Sequence, residues 1–137
     1  MSEVERRFSL IFDKAIAGDL IRVKKEDSYA HAKIIAVLQE YQSGTFPSED
    51  LIDEYFESAD IENVVPFWHL QKERKNIYRV KLISVAKWRI LTAGDHQANQ
   101  VAVLAIMHRN QDYESDPILI QRLEKSYETL GYRELGR

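Results

Sequence analysis

The chain has 137 residues, 45% of them hydrophobic and 30% charged, no cysteine and a formal net charge of -3, which suits a single α+β domain spanning residues 1–137. Without cysteine there is no disulfide framework, zinc-thiolate site or thiol catalysis, and histidines 31, 69, 96 and 108 show no HExxH-like spacing, so neither metal nor cofactor is expected. No apolar run reaches the roughly 18 to 20 residues of a membrane span, and the opening MSEVERRFSLIF lacks a signal peptide's apolar core, so the expectation is a soluble, cytoplasmic protein without a membrane partner.

In chain order, Phe8, Leu10 and Phe12 alternate with Arg7, Ser9 and Ile11 as a strand over residues 6–12 would, although a helix over residues 4–17 fits the same stretch. Gly18-Asp19 interrupts the pattern, and Leu20, Ile21 and Val23 precede a charged run without a clear assignment. Ser28 is placed to cap a helix running to Gln42, because Ala30, Ile34, Val37, Leu38 and Tyr41 recur at helical steps and Gly44 can end it. His31 on that helix reads as a structural or surface residue. Ser48 then caps a second expected helix with an apolar stripe of Leu51, Ile52, Tyr55, Phe56 and Ala59, making an αα-hairpin with the first.

Residues 64–75 read as an extended approach to the sheet, with Trp68 in the core or as a lid. Three strand-like runs follow. In residues 77–83, Tyr78, Val80 and Leu82 share one face and Arg79 and Lys81 the other. Residues 87–92 carry Arg89 and end at a glycine turn. Residues 101–107 are apolar throughout, as in a strand covered on both faces, and lead to His108, Arg109 and Tyr113. Pro117 opens a last helix reaching about Leu130, with a stripe of Ile118, Leu119, Leu123, Tyr127 and Leu130 and a stop at Gly131. The expected architecture is a helical hairpin and a C-terminal helix packed on a twisted antiparallel sheet.

Charge is unevenly distributed along this plan. Residues 1–71 are net -7 and residues 72–137 net +4. Residues 48–62 hold seven acids and no base, whereas residues 72–89 hold seven bases (Lys72, Arg74, Lys75, Arg79, Lys81, Lys87 and Arg89) and one acid. A basic patch of that density is the electrostatic footprint of phosphate binding, and a solvated strand face is its plainer explanation. The acidic stretch reads as solvated surface or as an internal counter-charge, a nucleic-acid mimic, beside the basic strands.

The motifs Tyr78-Arg79-Val80-Lys81-Leu82, Trp88-Arg89-Ile90 and the apolar run ending in His108-Arg109, with Tyr113 beyond, resemble those of the RelE/ParE toxin superfamily of bacterial toxin-antitoxin systems over roughly residues 64–116. Trp88 stands where the family usually has tyrosine, and the chain is longer than the usual member. The resemblance implies a toxin that is a metal-independent endoribonuclease cutting messenger RNA, commonly on the ribosome, and that is neutralised by a cognate antitoxin. It implies Lys81 as the base for the 2'-hydroxyl proton, Arg79 and Arg89 as phosphate stabilisers, Arg109 as stabiliser or acid, and Tyr113 as a base-stacking platform. His108 is either an alternative acid or base or a strand-end residue without catalytic duty. Lys72, Arg74, Lys75 and Lys87 would extend the nucleic-acid contact. The alternatives are a ParE-like inhibitor of DNA gyrase and a non-catalytic module that keeps the fold to bind a helical partner.

Overall fold

The computed structural model describes residues 8–110 and 116–136. Its order is β1 (Ser9–Phe12), α1 (Ile16–Glu26), α2 (Ser28–Gln42), a 3₁₀ turn (Ser48–Ile52), β2 (Ile61–Pro66), α3 (Trp68–Lys72), β3 (Ile77–Leu82), β4 (Trp88–Asp95), β5 (Gln100–His108) and α4 (Pro117–Leu130). The strands form one sheet in the order β1-β5-β4-β3-β2, antiparallel except that β1 runs parallel to β5. The α+β class and the packing of helices on a mostly antiparallel sheet are as expected; the sheet is mixed and has five strands because β1 and β2 flank the three central ones.

Each sheet face has its own core. Val80 and Leu82 of β3, Ile90 of β4 and Ile106 of β5 pack under α1 and α2 with Val23, Ile34 and Leu38. Ile77, Leu91, Ala93, Leu104 and Met107 pack on the other face with Leu70 of α3 and Leu119, Leu123 and Tyr127 of α4. Residues 101–107 are all buried, because β5 is sandwiched between these two layers.

Several local expectations change. The helical hairpin is α1 with α2, joined through Asp27, whose carboxylate accepts from the Ala30 N–H at 3.0 Å and therefore caps α2 in place of Ser28. Gly18-Asp19 lies inside α1 and does not break it. The expected second helix over 48–59 shrinks to the 3₁₀ turn: Tyr55 has φ 71° and is exposed, and its N–H bonds the Val64 carbonyl at 2.9 Å, so the chain instead runs along the outer edge of β2. Like-signed pairs at i,i+4, Glu49 with Asp53, Asp50 with Glu54 and Asp53 with Glu57, oppose helix there. Thr92 Oγ1 holds the turn by donating to the Leu51 carbonyl at 2.6 Å, and Gly94 lies beneath Ile52, whose side chain a Cβ would strike. Residues 64–75 form the end of β2 and α3, with Trp68 exposed and therefore outside the core. In α4, Asp116 caps the Ile118 and Leu119 N–H groups and Gly131 closes the helix at φ 71°, but Ile118 faces solvent.

Candidate functional site

Strand register decides which cations meet. Lys81 lies directly opposite Arg89, Arg79 opposite Leu91, and Arg89 opposite Met107. Because Leu91 and Met107 belong to the α4-side core, Arg79, Lys81 and Arg89 all project to that same face. Val80 and Leu82, between them, are buried on the other. Like charges placed directly across a strand pair are destabilising, so the Lys81–Arg89 juxtaposition carries a cost that the surroundings must offset. Two features do so. The Lys81 ammonium is 2.8 Å from a Glu62 carboxylate oxygen, and the Arg89 guanidinium donates to the carbonyls of Ala86, at 2.7 Å, and Trp88, at 3.1 Å.

Arg109 follows β5 in an exposed turn, with its backbone N–H bonded to the Lys87 carbonyl at 2.7 Å. Lys87 and Arg109 thus stand at the sheet end that also carries Lys81 and Arg89. Lys72, Arg74 and Lys75 do not join them. They sit before β3, whose six residues span roughly 20 Å, at the opposite sheet end. There Lys75 is 3.8 Å from Glu73, and the Arg74 carbonyl accepts from the Leu135 N–H at 2.7 Å.

His108 turns away from the cations. It lies opposite Trp88, their rings meet edge to face with centroids 4.9 Å apart, and Trp88 is buried in the core under α1 and α2. The Asn110 N–H donates to His108 Nδ1 at 3.0 Å, leaving Nε2 to carry the proton of the neutral ring. A cavity of about 350 Å³ beside it is lined by Arg22, Glu26 and Asn110. Tyr113 lies outside the described residues.

A larger cavity, about 470 Å³, opens between the end of β1 and the helical hairpin, where Ile16, Leu20 and Leu38 line it and Asp13 and Lys14 are its charged groups. It gathers none of the cations. Among the described residues, no group of three or more His, Asp or Glu side chains is arranged to hold a metal ion. Nor is any described helix long and apolar enough to cross a membrane.

Two residues of consequence escaped the sequence reading. Glu62 belongs to the acidic stretch, but its pairing with Lys81 depends on a β-bulge at Ile61/Asn63 that sets it beside β3, and a bulge leaves no signature in composition. Asp19, buried at 6% exposure, accepts from the Ile106 N–H at 2.8 Å and pairs with Arg122 of α4 at 2.8 Å. Arg122 also donates to the Leu104 carbonyl, and Arg22 to that of Ile106. Beyond the short β1, these three side chains take the place of a neighbouring strand on the β5 edge.

No family model, curated protein or solved structure matches this chain.

Proposed function

We propose that the sheet face bearing the partly exposed Arg79, Lys81 and Arg89, with Arg109 and Lys87 at its rim, binds the phosphate backbone of single-stranded RNA, and that the protein is a RelE-like endoribonuclease acting on messenger RNA, free or ribosome-bound, under the control of an antitoxin. The observation that carries this reading is the direct opposition of Lys81 and Arg89 with Arg79 on the same face. Such crowding of like charge is unfavourable in isolation and becomes favourable when a phosphate lies between them.

In this reading a phosphodiester sits against Arg79 and Arg89, whose guanidinium groups offset the charge that grows on the phosphorane. Lys81, parted from Glu62 and acting as the neutral amine once its ammonium has given a proton to solvent, accepts the proton of the ribose 2'-hydroxyl as its oxygen attacks the adjacent phosphorus. Arg109 stabilises or protonates the departing 5'-oxygen. His108 is left out of the set, since its ring lies against Trp88 on the other face.

Arg89→Ala tests the proposal. Loss of one charge-stabilising donor is expected to slow cleavage about 100- to 1,000-fold, by analogy with oxyanion-hole donors. Cleavage of RNA alone and on translating ribosomes is compared with inhibition of gyrase supercoiling. If Arg89→Ala melts like the parent and cleaves as fast, the face is not the active site; gyrase inhibition without RNA cleavage selects the ParE-like alternative. A binding module without catalysis is the second reading, favoured by the Glu62 carboxylate and the hairpin carbonyls that already engage Lys81 and Arg89.

A further inference from the structure

We infer that Glu62 occupies, in the free protein, the place a ligand phosphate takes at Lys81, so that this one carboxylate sets how tightly the face holds phosphate and from which side a polyanion reaches it. The identity of that polyanion as RNA rests on the function proposed above; the exchange of carboxylate for phosphate does not.

The local geometry is specific. Asn63 is the register partner of Lys81 and Ile61 that of Leu82, so the bulge places Glu62 as an additional residue opposite β3. Bulges re-aim side chains, and this one sets a carboxylate oxygen 2.8 Å from the Lys81 ammonium while both side chains keep contact with solvent. A solvent-accessible pair of this kind is held weakly and can be exchanged. A phosphate oxygen offers the ammonium the same acceptor chemistry, with neighbouring Arg89 adding a second donor that the carboxylate does not need.

The surroundings give the exchange a direction. The chain from Asp53 to Asp60 runs beside β2, fixed by the Tyr55 N–H to the Val64 carbonyl and the Ser58 N–H to the Ile61 carbonyl, both at about 3 Å. It carries Asp53, Glu54, Glu57 and Asp60 along that edge of the sheet. A polyanion approaching Lys81 across β2 meets these acids and Glu62, whereas one approaching across β4 and β5 meets Arg89, Lys87 and Arg109. The phosphate chain therefore runs from the turn after β5 and terminates at Lys81, with the acidic edge as its boundary.

The test titrates the full chain, isotopically labelled for NMR, with inorganic phosphate and separately with a short single-stranded RNA, comparing parent, Glu62→Gln and Arg89→Ala. Glu62→Gln is expected to bind inorganic phosphate about 1.4- to fivefold more tightly, the span of an exposed ion pair, with the largest shifts at Lys81 and Arg89. Its RNA affinity should fall more steeply with salt, the log-log slope changing by about 0.7 as one more phosphate is neutralised. Phosphate that binds parent and Glu62→Gln equally, or that shifts neither Lys81 nor Arg89 in either protein, overturns the inference. If phosphate behaves as expected and RNA does not bind, the exchange stands and the RNA reading fails. If RNA binds parent and Glu62→Gln alike while Arg89→Ala weakens it, the exchange fails and the RNA reading stands.

Discussion

Two ion pairs with the same 2.8 Å separation sit on opposite flanks of the sheet and do different work. Asp19–Arg122 closes the free edge of β5, and its carboxylate is only 7% exposed; Glu62–Lys81 lies by β2, with Glu62 45% exposed. The first is embedded in further bonds, from the Ile106 N–H to Asp19 and from Arg122 to the Leu104 carbonyl, which hold both members in place. The second has water for an alternative. Distance alone does not separate a structural pair from an exchangeable one; desolvation and the number of additional bonds do.

The largest effect expected from breaking this contrast is therefore at Asp19. Asp19→Ala leaves the Ile106 N–H without its acceptor and the Arg122 guanidinium with the Leu104 carbonyl but no counter-charge, and removing one member of a buried pair typically costs about 3–5 kcal/mol. Urea unfolding of the variant checks this. A loss under about 1 kcal/mol would show that water reaches the β5 edge and that the pair belongs with the exposed class.

Asp19 also marks where the sequence stopped being legible. Gly18-Asp19 looks like a helix break because both residues disfavour helix interiors, by up to about 1 kcal/mol for glycine. Here both lie in the first turn of α1, where the positive end of the helix dipole favours Asp19, and its tertiary bonds come from residues 87 and 103 positions away. Where the determining forces are local, the reading and the fold agree. The α2 stripe, the β3 alternation, the apolar β5 run and the Pro117 and Gly131 ends of α4 all depend on neighbours within a few residues. The cation face was legible as far as alternation reaches, to Arg79 and Lys81 together. That Arg89 joins them agrees with the expectation from the strand runs and the resemblance, whereas that His108 does not and that Glu62 faces Lys81 follow from register and a bulge, which are set between strands.

An intermediate effect is expected at Asp95, a buried carboxylate paired with backbone where Asp19 is paired with arginine. Burial alone would raise its pKa, but N–H groups of Arg133, Ala98 and Gln97, helped by the Arg133 charge, hold it below the ordinary aspartate value. With the folded value below the unfolded one, the stabilisation is fully present above the unfolded pKa, about 3.9, and is lost as pH falls through the folded value. Asp95→Asn is expected to cost about 1.5–3 kcal/mol at neutral pH, the worth of bonds to a charged acceptor, and to flatten the acid limb of stability below about pH 4. Unfolding curves between pH 7 and pH 2 compare the two. An unchanged acid limb would mean that other carboxylates control acid unfolding.

The smallest stability effect is expected at Lys81 and Glu62, and its sign is more informative than its size. Lys81→Thr removes the ion pair, worth about 0.2–1 kcal/mol for exposed groups, but also removes a cation directly opposite Arg89, a repulsion of similar magnitude. Threonine suits a strand as well, so the net change should lie within about 0.5 kcal/mol of zero. Glu62→Gln loses the attraction and keeps the repulsion, so it should destabilise by up to about 1 kcal/mol, and more at low salt than at high. Thermal melts at two ionic strengths measure both. A pair of cations retained where the fold gains nothing from the second is what a binding face looks like. If Lys81→Thr instead costs well over 1 kcal/mol, Lys81 is part of the scaffold, and its opposition to Arg89 serves the fold and not phosphate binding.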